Sequence, residues 1–273
     1  MVELSQDIPL GRAVSYVDHY CPQLLFPISR QASRDGLGID SAALPFTGVD
    51  IWNAYELSWL NPKGKPVVAC GEFRFPCESR AIIESKSFKL YLNSFNQERF
   101  DSVQQLRERM VADLSTAVAA AVEVSIGEVD NASTFSYLPG KCLDQLDVSV
   151  LSYQPDAALL QITGTKVVEE TLFSHLLRSL CPVTAQPDWA SVVIEYRGLP
   201  INHEGLLKYL IGYRQHQEFH EQCVERIYTD LMACCKPESL SVYARYVRRG
   251  GLDINPYRSS HGIRPVNWRL PRQ

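Results

Sequence analysis

ESKSFKLYLNSFNQ, running from Glu84 to Gln97, places Phe88, Tyr91, Leu92 and Phe95 at i, i+3, i+4 and i+7. That spacing puts one apolar stripe on a helix, with Lys86, Lys89, Asn93 and Asn96 on the other face. Upstream, Ala54 to Leu60 and Val67 to Phe75 have strand character and are joined by the turn Asn61-Pro62-Lys63-Gly64. Downstream, Val103, Leu106, Met110, Leu114 and Ala117 predict a second helix from about Ser102, followed by strands over 122–129 and 146–153. The order strand, strand, helix, helix, strand, strand describes a first half. A second half gives a comparable series: a strand over 157–163, a helix over 168–178 ending before Cys181-Pro182, and a strand over 190–196. A helix capped by Asn202 runs to about Arg214, another runs from about Glu218 to Cys234, and a strand covers 240–248. Paired helices against antiparallel strands, twice, predict an α+β chain built as a tandem repeat. The expected division is residues 1–154, with an irregular extension over the first fifty, and residues 155–273.

The composition is that of an ordinary globular chain: 273 residues, 45% hydrophobic and 21% charged, enough apolar material for a core without disulfides or metal. The formal charge of -4 speaks against a general nucleic-acid binder. Charge is uneven, however. Residues 241–273 hold Arg245, Arg248, Arg249, Arg258, Arg264, Arg269 and Arg272 against the single acid Asp253. This segment reads either as a solvated basic tail or as a site for an anion such as phosphate. No stretch is apolar for the length of a bilayer span, and MVELSQDIPLGR is not a secretory leader, so the expected setting is cytoplasmic, without membrane attachment. Eight cysteines with no CxxC pair fit reduced thiols.

Motifs for mononucleotide, dinucleotide, metalloprotease and serine-hydrolase sites are absent. Cys181 stands in the loop LCPVTAQPDW, seven residues before Asp188, where a thiol can meet a ligand and a carboxyl can pass a proton; a small buried core residue is the alternative. Glu84 and Glu221 open helices, and each can serve the helix dipole or accept two N–H bonds from a guanine-like edge. His220 can donate to a ring oxygen or cap its helix. Ser85, Lys86 and Lys89, and separately Arg248-Arg249-Gly250-Gly251, suit phosphate or else form a solvated face and an ordinary turn.

Taken together, Glu84–Gln97, Cys181–Trp189, FHEQCVER (Phe219–Arg226) and YARYVRRGGLDINP (Tyr243–Pro256) resemble the long, two-domain form of the NADPH-dependent 7-cyano-7-deazaguanine reductases, from the Asp50-Ile51-Trp52 stretch onward. The resemblance implies tandem tunnelling-fold repeats, each a four-stranded antiparallel sheet backed by two helices, closing into a barrel by association as a homodimer or higher oligomer. It implies reduction of a nitrile to 7-aminomethyl-7-deazaguanine on the way to tRNA queuosine, with two NADPH consumed. By motif position Cys181 is the nucleophile and Asp188 the proton donor. Ile83, Glu84, Ser85, Phe219, His220 and Glu221 hold the substrate, and Ser85, Lys86, Arg249 and Gly250 hold NADPH. No metal and no direct nucleic-acid contact are expected. A pterin or deazapurine cyclohydrolase or synthase on the same fold, and a non-catalytic tRNA-binding module, are the alternatives. The helix expected just before Cys181 would oppose a thiolate there, since a helix C-terminus is electronegative.

Overall fold

The computed structural model describes residues 17–131 and 135–273, so the first sixteen residues of the predicted extension lie outside it. The chain is α+β, and its residues gather into two compact units that interleave along the sequence. The first takes in the described parts of Met1–Ser41 and Asp50–Thr134, with Arg248–Asp253; the second takes in Ala42–Val49, Phe135–Val247 and Ile254–Gln273.

The elements of the first unit are β1 (Pro27–Ser29), α1 (Gln31–Gly36), from Asp50 on β2 (Thr47–Leu60), β3 (Pro66–Pro76), β4 (Ala81–Ile83), α2 (Ser85–Asn93), α3 (Val103–Val118) and β5 (Glu123–Gly127). Its sheet order is β5-β3-β2, with β3 and β5 antiparallel from Cys70↔Gly127 to Arg74↔Glu123; β1 and β4 form a separate antiparallel pair. The turn after β2 is closed by Asn61, whose side chain accepts from the Lys63 and Lys65 N–H groups, and by Gly64 at φ +80°. The predicted stripe of α2 is its buried face. Phe88 meets Trp52, Phe73 and Phe75 edge-on, with centroids 5.2, 5.0 and 6.2 Å away, and Tyr91 meets Phe95 at 5.1 Å. Ser102 caps α3 by accepting the Gln105 N–H at 3.2 Å. Arg30, buried, pairs with the fully buried Asp50 at 2.5 Å and ties α1's entry to β2.

The second unit contains β6 (Lys141–Cys142), β7 (Val168–Ser174), β8 (Arg178–Leu180), β9 (Pro187–Gly198), α4 (His203–Gly212), α5 (His220–Cys235), β10 (Ser239–Tyr246) and, from Ile254 on, β11 (Leu252–Ser259). Four long strands in the order β11-β10-β9-β7 are antiparallel; β6 adds parallel to β7, and β8 pairs with the start of β9. α5 packs on β10, and its Cys223, Val224, Ile227 and Leu231 are fully buried. Asn202 caps α4 as expected, accepting the Gly205 N–H at 3.0 Å.

Three expectations are corrected here. Residues 168–178 are not a helix: they form β7, which pairs with β9 from Val168↔Gly198 to Ser174↔Val192, and then enter β8. Residues 157–163 hold a 3-10 turn, Ala157–Leu159, capped by Asp156. Residues 146–153 alternate like a strand but pair with none among the described residues. No helix among the described residues is long and apolar enough to cross a membrane.

Candidate active site

Cys181 sits at the tip of a hairpin. β8 and β9 pair through Arg178↔Trp189, Ser179↔Asp188 and Leu180↔Pro187. The ladder then continues one step, from the Cys181 N–H to the Gln186 carbonyl at 2.9 Å. Ala185, at φ +54°, closes the loop by donating to the Cys181 carbonyl at 2.9 Å. Side chains directly opposite each other in an antiparallel pair share a face, and so do residues two apart. Cys181 and Asp188 are therefore diagonal neighbours on one face, a relation that typically spans roughly 7–8 Å. The loop position agrees with the sequence, but the thiol is only 7% exposed. Because a strand precedes it, no helix C-terminus opposes a thiolate at this position.

Asp188 is buried at 5% exposure, and His220 Nε2 lies 3.4 Å from its Oδ2. The imidazole stacks on Tyr246 with centroids 3.7 Å apart and planes 5° from parallel. His220 Nδ1, and Thr184 Oγ1 in the loop between β8 and β9, are buried with no hydrogen-bond partner. Buried polar atoms are rarely left so, and one of these stands on the hairpin loop and the other at the start of α5. Glu221 follows His220 in the first turn of α5 and is 3% exposed. Phe219, half-buried, precedes the helix and donates its N–H to Gln222 Oε1 at 3.4 Å.

The other expected residues lie in the first unit. Ile83 ends β4 and is buried. Glu84 caps α2: Oε1 accepts the Lys86 N–H at 2.9 Å and Oε2 accepts the Ser87 N–H at 2.7 Å. Burial raises its pKa, against the pull of those two N–H groups. A carboxylate has about four acceptor positions, so the capping role leaves room for a substrate edge. Ser85 and Lys86 are half-buried in the first turn of α2. Arg248, Arg249 and Gly250 are exposed on the turn between β10 and β11. There the Arg249 N–H bonds the Leu252 carbonyl at 2.8 Å and the reverse bond is 3.1 Å. Both central residues, Gly250 at φ +58° and Gly251 at φ +80°, occupy the left-handed region, as a tight hairpin turn of this type requires. Lys89 reaches from α2 to the Gly250 carbonyl at 2.5 Å and to Glu56 at 2.9 Å, and Arg248 lies over the Tyr55 ring at 5.1 Å. Guanidinium and ammonium groups around an open glycine turn form a donor set that fits the phosphates of NADPH.

Three of the seven arginines in residues 241–273 serve the fold. Arg258 is fully buried and donates from Nε and a terminal nitrogen to Glu225 Oε1, at 3.0 and 2.9 Å. Arg245 bonds Gln273 and the Tyr243 hydroxyl, and Arg272 donates to the His175 and Ala190 carbonyls. Tyr246 and Thr184 were not singled out by sequence; an aromatic in an alternating strand reads as core. Among the described residues, no group of three or more His, Cys, Asp or Glu side chains is placed to hold a metal.

Comparison with known proteins gives the family. The family described as nitrile reductase, 7-cyano-7-deazaguanine-reductase N-term, matches residues 16–126, and that of QueF-like proteins matches residues 187–264. The NADPH-dependent 7-cyano-7-deazaguanine reductase of Chromohalobacter salexigens is 57% identical over 97% of this chain and 96% of its own length. Its namesake in Bordetella avium is 58% identical over 98% of each. A crystal structure of the archaeosine synthase QueF-Like in the apo form covers 37% of this chain and all of its own, at 19% identity and a TM-score of 0.32, too slight a likeness to carry an argument. At more than half identity over nearly its whole length, the chain belongs to the NADPH-dependent 7-cyano-7-deazaguanine reductases.

Proposed function

We propose that this chain reduces the nitrile of 7-cyano-7-deazaguanine to the primary amine of 7-aminomethyl-7-deazaguanine, a step toward queuosine in tRNA. The observation that carries the reading is the hairpin that sets Cys181 and Asp188 on one face, with His220 3.4 Å from the Asp188 carboxylate. The Cys181 sulfur adds to the nitrile carbon, one π bond of the C≡N group opens, and the nitrogen takes a proton from Asp188. The thiol's own proton returns to the carboxylate, so capture as a thioimide is balanced without any other reagent. Covalent capture divides one difficult addition into easier steps. Two NADPH, bound one after the other, would each supply one of the two hydrides that a nitrile-to-amine reduction needs. Lys86, Arg249 and Gly250, with Ser85, would hold the cofactor's phosphates, and Lys89 would brace the Gly250 turn. In the second unit Glu221 and His220, beside Phe219, would grip the base edge; Ile83 and Glu84 of the first unit are separate candidates for substrate contact.

The same reading includes two tunnelling-fold repeats, 1–154 and 155–273, and association of copies of this chain. The antiparallel four-strand core of the second unit supports the first of these. All eight cysteines are free, which suits a cytoplasmic setting. The test is an intact mass of the protein incubated with the nitrile and no NADPH. An adduct equal to the substrate's mass, mapped to Cys181 and absent in Cys181→Ala, is expected; an adduct that persists in Cys181→Ala would refute the mechanism.

A further inference from the structure

Tyr246 ends β10, and His220 begins α5. A helix of the length of α5 spans roughly 24 Å and a strand of the length of β10 roughly 26 Å. The helix that runs back along the strand therefore brings the first residue of one over the last residue of the other. The contact is tight and parallel, 3.7 Å between ring centroids. Tyr246 is itself fixed by unusual means. At the end of the strand its N–H donates to Asn255 Oδ1 at 3.1 Å, and its carbonyl accepts from Gln273 Nε2 at 3.2 Å. The two amides are joined to each other, Gln273 Nε2 to Asn255 Oδ1, at 2.8 Å. Asn255 is fully buried and Gln273 is 4% exposed. The Tyr246 ring is fully buried, with its hydroxyl beside Ser179 and Cys223.

We propose that Tyr246 is a positioning residue for the reaction: clamped by the Asn255–Gln273 bracket, its ring sets the plane of the His220 imidazole. That plane directs Nε2 at Asp188 and leaves the buried Nδ1 for the substrate. An imidazole without this floor can rotate about its side-chain torsions, and the Asp188 carboxylate loses its orienting neighbour. The inference rests on the roles given above to Asp188 and His220.

The test uses the full chain and the variants Tyr246→Phe, Tyr246→Leu and Gln273→Ala. Proton NMR of the substrate-free protein reads the ring-current shift of the His220 Hε1, and steady-state kinetics with the nitrile and NADPH read kcat and KM separately. The Phe variant keeps the upfield Hε1 and parental kcat. The Leu variant loses the shift, and its kcat falls about 10- to 100-fold while KM stays within about threefold. Gln273→Ala, which opens the bracket from one side, moves both readouts in the same direction by less, and it serves if the Leu variant does not fold. A folded Leu variant, or Gln273→Ala, that loses the Hε1 shift yet keeps parental kcat overturns the proposal. So does a Phe variant as impaired as the Leu variant, since the ring would then not be what matters. A parent that neither forms the adduct nor turns over the nitrile would sink the functional reading, a failure distinct from equal turnover by parent and variant.

Discussion

Glu225→Leu would strand the Arg258 guanidinium inside the second unit, because Arg258 is fully buried and Glu225 accepts both its Nε and one terminal N–H. Breaking one side of such a pair costs about 3–5 kcal/mol. For a chain of 273 residues, unfolding entropy near 2.1 cal/mol/K per residue makes 4 kcal/mol roughly 7 °C of melting temperature. Arg258→Met is expected to be milder as the pH falls, since a stranded carboxylate can take up a proton and a guanidinium cannot give one up. The double variant, Glu225→Leu with Arg258→Met, removes both charges and should return to within about 1 kcal/mol of the parent, a coupling of at least about 2 kcal/mol. Urea unfolding of the four proteins, followed by far-UV circular dichroism at pH 7, gives the cycle. A single Glu225→Leu cost below about 1 kcal/mol, or a double variant equal to the sum of the singles, would refute the reasoning. The same α5 carries His220 and Glu221, and Glu221 lies one turn before Glu225 on the same face. Activity should therefore fall with the loss of this anchor before the chain unfolds globally.

Burial by itself would raise the Glu218 carboxyl, but hydrogen bonds from His216, at 3.0 Å, and from Arg226 outweigh it and hold the group below the ordinary range. A depressed acid stabilises the fold above its unfolded value of about 4.3 and loses that contribution as the pH drops through the folded value. Glu218→Gln should thus be less stable than the parent at pH 7, with the gap closing below about pH 4 in urea midpoints measured across pH. Lys89→Met removes the tie to Gly250 and Glu56. NADPH affinity by fluorescence titration should weaken about tenfold or more, while adduct formation at Cys181 without NADPH is unchanged; an unchanged NADPH affinity would count against the phosphate site.

Where periodicity and burial agreed, the sequence was a good guide. α2, α3, α4 and α5 lie within two residues or so of their stripes because each buries the face that its apolar spacing defines, with Glu84, Ser102 and Asn202 as caps. Residues 168–178 misled because Leu172 and Leu176, four apart, imitate a helical face; pairing with β9 overrides that local preference. β11 was missed for a different reason. All eight of its residues are buried, including Asp253, Asn255 and Arg258, so no alternation survives, and Pro256 argues locally against a strand. At the site, Cys181, Asp188, His220 and Glu221 were legible as motifs, while Tyr246 was not. Its part depends on a match between the lengths of a helix and a strand, which no residue pattern displays.

The hairpin that opens with Cys181 also limits how this segment can change. Its two ends are hydrogen-bonded in register, so what the loop preserves is parity rather than composition. A one-residue slip of this pairing would turn Asp188 to the opposite side of the ribbon, whereas a swap of side chains at Val183 or Thr184 would leave it where it is. The constraint is therefore one of register, and a pairing shifted by one residue should silence the enzyme even when every chemical group is retained.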